Sequence, residues 1–441
     1  LIFYFFSIII VYTIERYRKD VRFIVINVIE LFAGVGGFRL GLEKKGNFNV
    51  VWGNQWEPSK VTQHAFNCYS NQFEGKGTHV NRDIATVTEE EIKDINAEVI
   101  VGGFPCQDYS VARSLSGEKG IDGKKGVLFW EIKRFIEIKN PKYVLLENVD
   151  RLLKSPSKQR GRDFAVMLAT FRDLGYFVEW RVINAAEYGQ AQRRRRVFIF
   201  AYRKDTPFAQ KQQKESVENI LHDNGFFVIP FPVQANQSEK HPPNEYNLNE
   251  YEDIVGVSDK FKGQFWNAGI MKNGNIYTAQ LLPIEEEPIT LGQILEENVD
   301  DKYYLNEDAI GKFRYLKDQK KIERTAANGH KYTFSEGSMA FPESLDKPGR
   351  TMLTSEGSIN RSTHVVQDEK GYRILTPVEC ERLNGFPDNW TKDFMTERMR
   401  YFCMGNALVV GLVERMANRI NEIDNIIGDQ IELDLFEEEM V

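Results

Sequence analysis

Between residues 24 and 202 the chain alternates short β-rich apolar runs with amphipathic stretches, and this rhythm constrains its fold more than any single motif. Runs at 26–32, 50–56, 98–102, 143–147, 178–184 and 197–201 read as strands. Between them, stretches at 59–69, 127–139 and 163–174 repeat apolar residues at spacings of three and four, which predicts helices. Strand, helix, strand in succession buries both faces of a sheet under its crossover helices. The expected fold class is α/β, a mostly parallel doubly wound sheet with a second, smaller irregular domain. Ligands of such sheets sit outside the carboxyl ends of the strands, and the chemical motifs below fall there.

After residue 203 the pattern gives way to about 170 turn-rich residues containing Pro230, Pro232, Pro242 and Pro243. The predicted organisation is an N-terminal extension of unassigned role at 1–23, a catalytic domain at 24–205 and a smaller domain at 206–395. A segment at 396–425 returns to the first domain, and an acidic, frayed tail follows at 426–441. Residues 1–14 are apolar apart from Ser7, Thr13 and the tyrosines, and are followed by Arg16, Arg18, Lys19 and Arg22. Fourteen residues are too few to span a bilayer, and charges after the apolar run do not make a signal peptide. No membrane association is expected.

The 441 residues carry a formal charge of -7, which argues against a nucleic-acid partner at first sight. Eight acids after residue 421 account for that balance, and the preceding 421 residues sum to +1. Four scattered cysteines, Cys68, Cys106, Cys380 and Cys403, fit a reducing compartment. Six scattered histidines show no metal-ligand spacing, so no metal is expected.

Leu31-Phe32-Ala33-Gly34-Val35-Gly36-Gly37 ends the first strand and opens a helix, so the backbone there can approach a ligand at a helix N-terminus. A dinucleotide fingerprint requires a third glycine where this chain has Arg39, which disfavours a nicotinamide cofactor. A carboxylate-bearing ligand such as S-adenosylmethionine suits the same helix end. Gln55-Trp56-Glu57 closes the second strand, where Trp56 can stack on an adenine and Glu57 can accept from a ribose hydroxyl, although a core aromatic is as common. Gly102-Gly103-Phe104-Pro105-Cys106-Gln107 presents a cysteine on a stiff turn rather than in a core. Leu146-Glu147-Asn148 sets a carboxylate at the end of another apolar strand, costly unless it is used or paired. In Gln192-Arg193-Arg194-Arg195-Arg196, strand alternation sends Arg194 and Arg196 to one side and Arg193 and Arg195 to the other.

Taken in order, these motifs resemble the bacterial-type DNA cytosine-5 methyltransferase family over nearly the whole chain. The resemblance is carried by Phe32, Gly34, Gly36 and Gly37; by Pro105-Cys106-Gln107; by Glu147-Asn148-Val149; and by Gln192, Arg194 and Arg196. Arg373-Ile374-Leu375-Thr376-Pro377 through Gly385-Phe386-Pro387, and Gly405-Asn406-Ala407, complete it. It implies a methyltransferase sheet with a target-recognition domain, expected within about 206–365, acting on duplex DNA with S-adenosylmethionine. By the same resemblance Cys106 adds to cytosine C6, Glu147, kept protonated by burial, engages N3, and Arg196 with Arg194 holds O2. The implied cofactor pocket comprises Phe32, Gly34, Gly36, Gly37, Trp56, Asp83, Ile84, Pro105, Leu128, Asn406 and Ala407. Gln55 stands where the family places its ribose-binding acid, so Glu57 or Gln55 is expected to take that contact. Gln192, Arg324, Arg350 and Arg361 are the candidate DNA contacts, a surface loop being the alternative for the last three.

The resemblance further implies a bacterial cytoplasmic enzyme, monomeric because one flipped base needs one active site, with a possible restriction endonuclease acting on the same DNA sequence without touching it. The alternatives are the same chemistry on tRNA, a silent DNA-binding protein of this fold and, weakest, a nicotinamide oxidoreductase.

Overall fold

The structure is a computed structural model that describes residues 25–439 except 45, 59, 105–127, 236–239 and 326–328, with side chains described as far as residue 424. The extension at 1–23 and the residues Pro105 and Cys106 therefore lie outside the described residues.

A ten-stranded sheet organises the molecule. Its strands are Ile26–Leu31 (β1), Phe48–Asn54 (β2), Thr78–Val80 (β3), Val99–Gly103 (β4), Tyr143–Val149 (β5) and Tyr176–Asn184 (β6). The short Gln192–Arg193 (β7) precedes Arg195–Arg203 (β8), and Val233–Ala235 (β9) precedes Asn244–Asn247 (β10), Ala268–Lys272 (β11) and Asn275–Ala279 (β12). The order is β10-β12-β11-β6-β8-β5-β4-β1-β2-β3. β1 to β5 pair in parallel, whereas β8 runs antiparallel to both β5 and β6. β10, β11 and β8 oppose the common direction of the remaining seven strands, so the sheet is mostly parallel by strand direction.

Alternation along each central strand sends successive side chains into two different cores. Ile29 and Leu31 of β1, Ile100 of β4, and Val144 and Leu146 of β5 face one cluster. Ile26 and Val28, Val99 and Val101, and Tyr143 and Leu145 face the other. The first core is closed by Leu128–Lys139, which buries Phe129, Ile132, Phe135 and Ile136 on one stripe, and by Arg162–Asp173. The second is closed by Gly37–Glu43, Pro207–Lys214 and the long helix Val410–Glu439.

Two features depart from the organisation read in the sequence. The sheet does not end near residue 205, because β10, β11 and β12 extend its antiparallel edge, with β11 pairing directly to β6. The expected frayed tail is helical to Glu439, continuous with the helix that starts at Val410. Glu, Leu and Ile in that stretch are compatible with helix, and Asp424 pairs with Lys142 at 3.3 Å. Beyond β12, Leu281–Pro283 (β13) pairs with β9, and Lys320–Thr325 (β14) with Lys331–Glu336 (β15). Gly349–Arg350 (β16) pairs in parallel with β7. Among the described residues no helix is long and apolar enough to cross a membrane.

Candidate active site

The ends of β4 and β5 and the start of β8 meet at one edge of the sheet. Because β8 is antiparallel, its first residues reach the edge where β5 terminates: Val149 pairs with Arg196, and Glu147 with Phe198. Gly103, the last residue of β4, pairs with Glu147 from the other side. A Cβ at Gly103 would stand 3.3 Å from Glu147 Oε2, so glycine there leaves room for the carboxylate. Arg196 Nε lies 2.8 Å from Glu147 Oε1, in a pair largely shielded from solvent. Glu147 thus faces a guanidinium partner, which can only donate. Asn148 Nδ2 donates to the carbonyl of Phe104 at 3.0 Å, tying β5 to the last described residue before Pro105 and Cys106.

The other cysteines are poor nucleophile candidates. Cys68, Cys380 and Cys403 are all buried, and burial pushes their thiols up, to about 12 for Cys403. A buried thiol held protonated is unreactive.

Arg194 is buried more deeply than Arg196. Its side chain is buried, and its two terminal nitrogens donate to the carbonyls of Met352 at 3.1 Å and Gly405 at 3.0 Å. Burial, reinforced by Arg196, draws this guanidinium down to about 9. Gln192 is likewise buried, donating to the Leu383 carbonyl and Asn384 Oδ1 and accepting from the Met352 amide. The amide ends of Gln192 and both terminal nitrogens of Arg194 are engaged within the protein, and Arg194 Nε is buried without a partner. Neither side chain reaches outward, so the expectations of a DNA contact at Gln192 and a base contact at Arg194 are corrected. Both pin the segment around Met352 to the sheet edge.

The turn after β1 is held in unusual backbone geometry. Phe32 has φ 57°, Gly34 φ 59° and Gly36 φ 88°. A left-handed aromatic residue costs on the order of 1–2 kcal/mol and is tolerated where the surroundings hold it. A Cβ at Gly36 would lie 2.5 Å from the Phe73 ring. Gly37 follows as the first residue of its helix. Beneath the turn Glu30 is fully buried, accepting from the Arg39 amide, and burial pushes its carboxyl up to about 8.

At the end of β2 the two candidate ribose acceptors differ. Gln55 Oε1 accepts from the Gly34 amide at 2.8 Å, so this side chain is spent on the glycine turn. Glu57 Oε2 is buried without a hydrogen-bond partner. Trp56 is 38% exposed. Phe32, Ile84 and Leu128 pack against or within one core with Phe104, while Ala407 packs against the cluster holding Ala33 and Val35. Asp83 is exposed at its edge, accepting from the Ala85 amide, and Asn406 is exposed at the end of the helix Glu397–Asn406. The chain thereby brings its first and last motifs together. A Cβ at Gly405 would lie 2.4 Å from the Thr354 amide, which accounts for glycine there.

The remaining candidate DNA contacts divide. Arg350 is bound to Glu343 at 2.7 Å and to the Ser362 carbonyl. Arg361 donates to the carbonyls of Leu316, Asp318 and Gly337. Both are internal fasteners, a correction to their expected role. Arg324 is exposed and lies 4.0 Å over the Phe334 ring. Sequence reasoning quoted Asn148 and Gly103 within motifs but gave them no role, and it missed Trp390, whose Nε1 donates to the Val35 carbonyl at 2.9 Å. Asn148 had a signal, a buried polar residue beside Glu147; Trp390 had none, because its partner is 355 positions away.

A family model for C-5 cytosine-specific DNA methylase matches residues 26–422. The chain belongs to that family, and it is a DNA cytosine-5 methyltransferase by class. It is 59% identical over 407 residues to Type II methyltransferase M.Sau3AI of Staphylococcus aureus, covering 92% of this chain and 98% of that one. Type II methyltransferase M.Bsp6I of a Bacillus strain is 26% identical over 90% of this chain and 98% of its own. A restriction-modification setting fits these relatives. Among solved structures, a Spodoptera frugiperda DNMT2 mutant superposes with TM-score 0.57 at 15% identity, covering 89% of this chain and 99% of that one. That likeness shows the fold.

Proposed function

We propose that the chain methylates C5 of a cytosine flipped out of a specific duplex DNA sequence, using S-adenosylmethionine, with Cys106 as nucleophile and Glu147 and Arg196 as base-holding groups. The observation that carries this reading is the Glu147–Arg196 pair at 2.8 Å on the carboxyl edge of β5, beside Gly103 of the strand that leads to Cys106.

Cytosine C5 is a weak nucleophile. Addition of the Cys106 thiolate to C6 forms a carbon–sulfur bond and moves the ring electrons toward C5 and N3. Glu147, acting as the neutral acid, would donate its proton to N3, where negative charge accumulates, and Arg196 would balance the carboxylate left behind. Arg196 holds Glu147 through Nε and donates from Nη1 to the Arg195 carbonyl, and its Nη2 would serve O2. Once C5 carries its methyl group, a water molecule acting as base would take the C5 proton, the C5–H electron pair would form the C5–C6 double bond, and the C6–S bond would break to release the Cys106 thiolate. Stacking shields C6 in a duplex, so the base must leave the helix.

The residues present suit the methyl donor. S-adenosylmethionine when bound supplies an electrophilic methyl group on a sulfonium. The unpartnered Glu57 Oε2 is an acceptor for a ribose hydroxyl, exposed Trp56 offers a face to adenine, and the left-handed turn through Gly34 and Gly36 would let the backbone come close to the donor. Asp83 with Ile84, Leu128, Asn406 and Ala407 would complete the pocket, and Pro105 is assigned to it by family resemblance. Gln55 holds the turn instead of the ribose. One flipped base needs one active site, so the chain acts as a monomer in the bacterial cytoplasm, where its thiols stay reduced. A cognate endonuclease would share its DNA sequence without contact.

Expression of the wild type and of Cys106→Ala in a methylation-deficient bacterial host, followed by bisulfite sequencing of plasmid DNA and total RNA, tests the reading. Protected cytosines in one short DNA sequence, absent with the variant, are expected. Protection confined to RNA, or none, contradicts it.

A further inference from the structure

Lys320–Thr325 and Lys331–Glu336 form a two-stranded ribbon that no third strand joins among the described residues. β14 and β15 pair from Lys320 opposite Glu336 to Thr325 opposite Lys331, so directly opposed residues share a face. One face consists of Lys321, Glu323, Thr325, Lys331, Thr333 and Ser335, all exposed. The other face also meets solvent: Ile322 is 39% and Tyr332 43% exposed. A ribbon with neither face packed is marginal in water, and native proteins do not leave long edges bare without a use or a guard.

The charge of the ribbon runs against that of the chain. Lys320, Lys321, Arg324 and Lys331 outnumber Glu323 and Glu336, within a chain of net charge -7. Glu336 is partly neutralised by Arg361 at 3.5 Å. Cation–ring contacts stiffen the ribbon, with Lys320 4.4 Å over Tyr315 and Arg324 4.0 Å over Phe334. Its root is clamped, because Arg361 gathers the carbonyls of Leu316 and Asp318 on the way in and Gly337 on the way out. Lys317 at the same root binds Glu343, which binds Arg350, and Arg350 lies on β16 paired to β7. The free ribbon is thus fastened by a chain of ionic and strand contacts to the edge that carries Arg194 and Arg196.

Resting on the methyltransferase reading above, we propose that the β14–β15 ribbon enters the major groove of duplex DNA with its Lys321–Glu323–Thr325–Lys331–Thr333–Ser335 face toward the base edges. The major groove admits a two-stranded ribbon, and this face offers both donors and acceptors to its pattern of bases. The lysines also meet the phosphate field.

The test uses the full chain with S-adenosylhomocysteine and two fluorescent duplexes, one bearing the sequence mapped for the wild type and one scrambled. Lys321→Ala/Lys331→Ala is expected to bind the mapped duplex about tenfold more weakly, with the salt slope reduced by about 2. Thr333→Val is expected to narrow the preference for the mapped over the scrambled duplex about fivefold, with thermal midpoint and S-adenosylhomocysteine affinity unchanged. Wild-type affinity, slope and preference in both variants overturn the proposal. Loss on both duplexes alike, with the preference intact in Thr333→Val, overturns base reading by this face. A wild type that binds duplex but methylates no cytosine contradicts the enzymatic reading alone, because the slope on the scrambled duplex still judges the ribbon.

Discussion

At the carboxyl edge of β5 the polar groups are spent on the protein itself, whereas on the β14–β15 ribbon they face water. Arg194 and Gln192 bind carbonyls, amides and side chains of distant segments, and Glu147 is paired with Arg196. Across the ribbon, Lys321, Glu323, Thr325, Lys331 and Thr333 are all exposed. The difference matches two physical tasks. Stabilising charge on a reacting ring requires donors fixed before the base arrives. Reading a DNA sequence requires groups that exchange water for base edges.

The comparison can be broken from its catalytic side first. Cys106→Ala should lower methyl transfer by several orders of magnitude while DNA and S-adenosylmethionine binding persist, as removal of a nucleophile does elsewhere; single-turnover transfer of radiolabelled methyl checks this. Arg196→Ala strips Glu147 of its partner and should cost about 10²–10³ in kcat with a smaller change in KM. Arg194→Met removes donors from the buried carbonyls of Met352 and Gly405, so stability should fall by about 3 kcal/mol, read by urea unfolding. A change in rate without a change in stability would make Arg194 a base contact after all.

Smaller effects sharpen the picture of the glycine turn. Glu57→Gln should weaken S-adenosylmethionine binding about tenfold by calorimetry, whereas equal affinity would leave the unpartnered Oε2 without a role. Glu30 provides a pH signature. Its folded value is raised to about 8 against 4.5 for an ordinary glutamate, so the folded state keeps a proton that the unfolded chain has released. Relative to Glu30→Gln, wild-type stability should therefore fall as pH rises from about 4.5 to about 8, by at most about 1.4 kcal/mol per pH unit.

The parallel half of the fold was legible because its strands are buried on both faces and its crossover helices carry clear stripes, as in Phe129, Ile132 and Phe135. The placement of Glu147 and Arg196 at one edge followed from strand ends and motif order, although the antiparallel direction of β8 that joins them is a tertiary fact. The continuation of the sheet through β10, β11 and β12 was hidden by the turn-rich composition around Pro230 and Pro242. Arg350 and Arg361 read as DNA contacts because exposed arginines next to glycine and serine look available. Their partners, Glu343 and the carbonyls of Leu316 and Gly337, come from elsewhere in the chain. Arg194 and Arg196 illustrate the same limit, since alternation gives both one direction but cannot say that Met352 and Gly405 cover only the first.

The most direct test of the central claim is to incubate the protein and S-adenosylmethionine with a duplex carrying 5-fluorocytosine at the mapped position, then resolve the products under denaturing conditions. Fluorine cannot leave C5 as a proton does, so the account predicts a covalent protein–DNA adduct whose cross-linked peptide contains Cys106, absent in Cys106→Ser. Wild-type protein that methylates unmodified DNA yet forms no such adduct, or forms it through another residue, would contradict the assignment of Cys106 as the nucleophile.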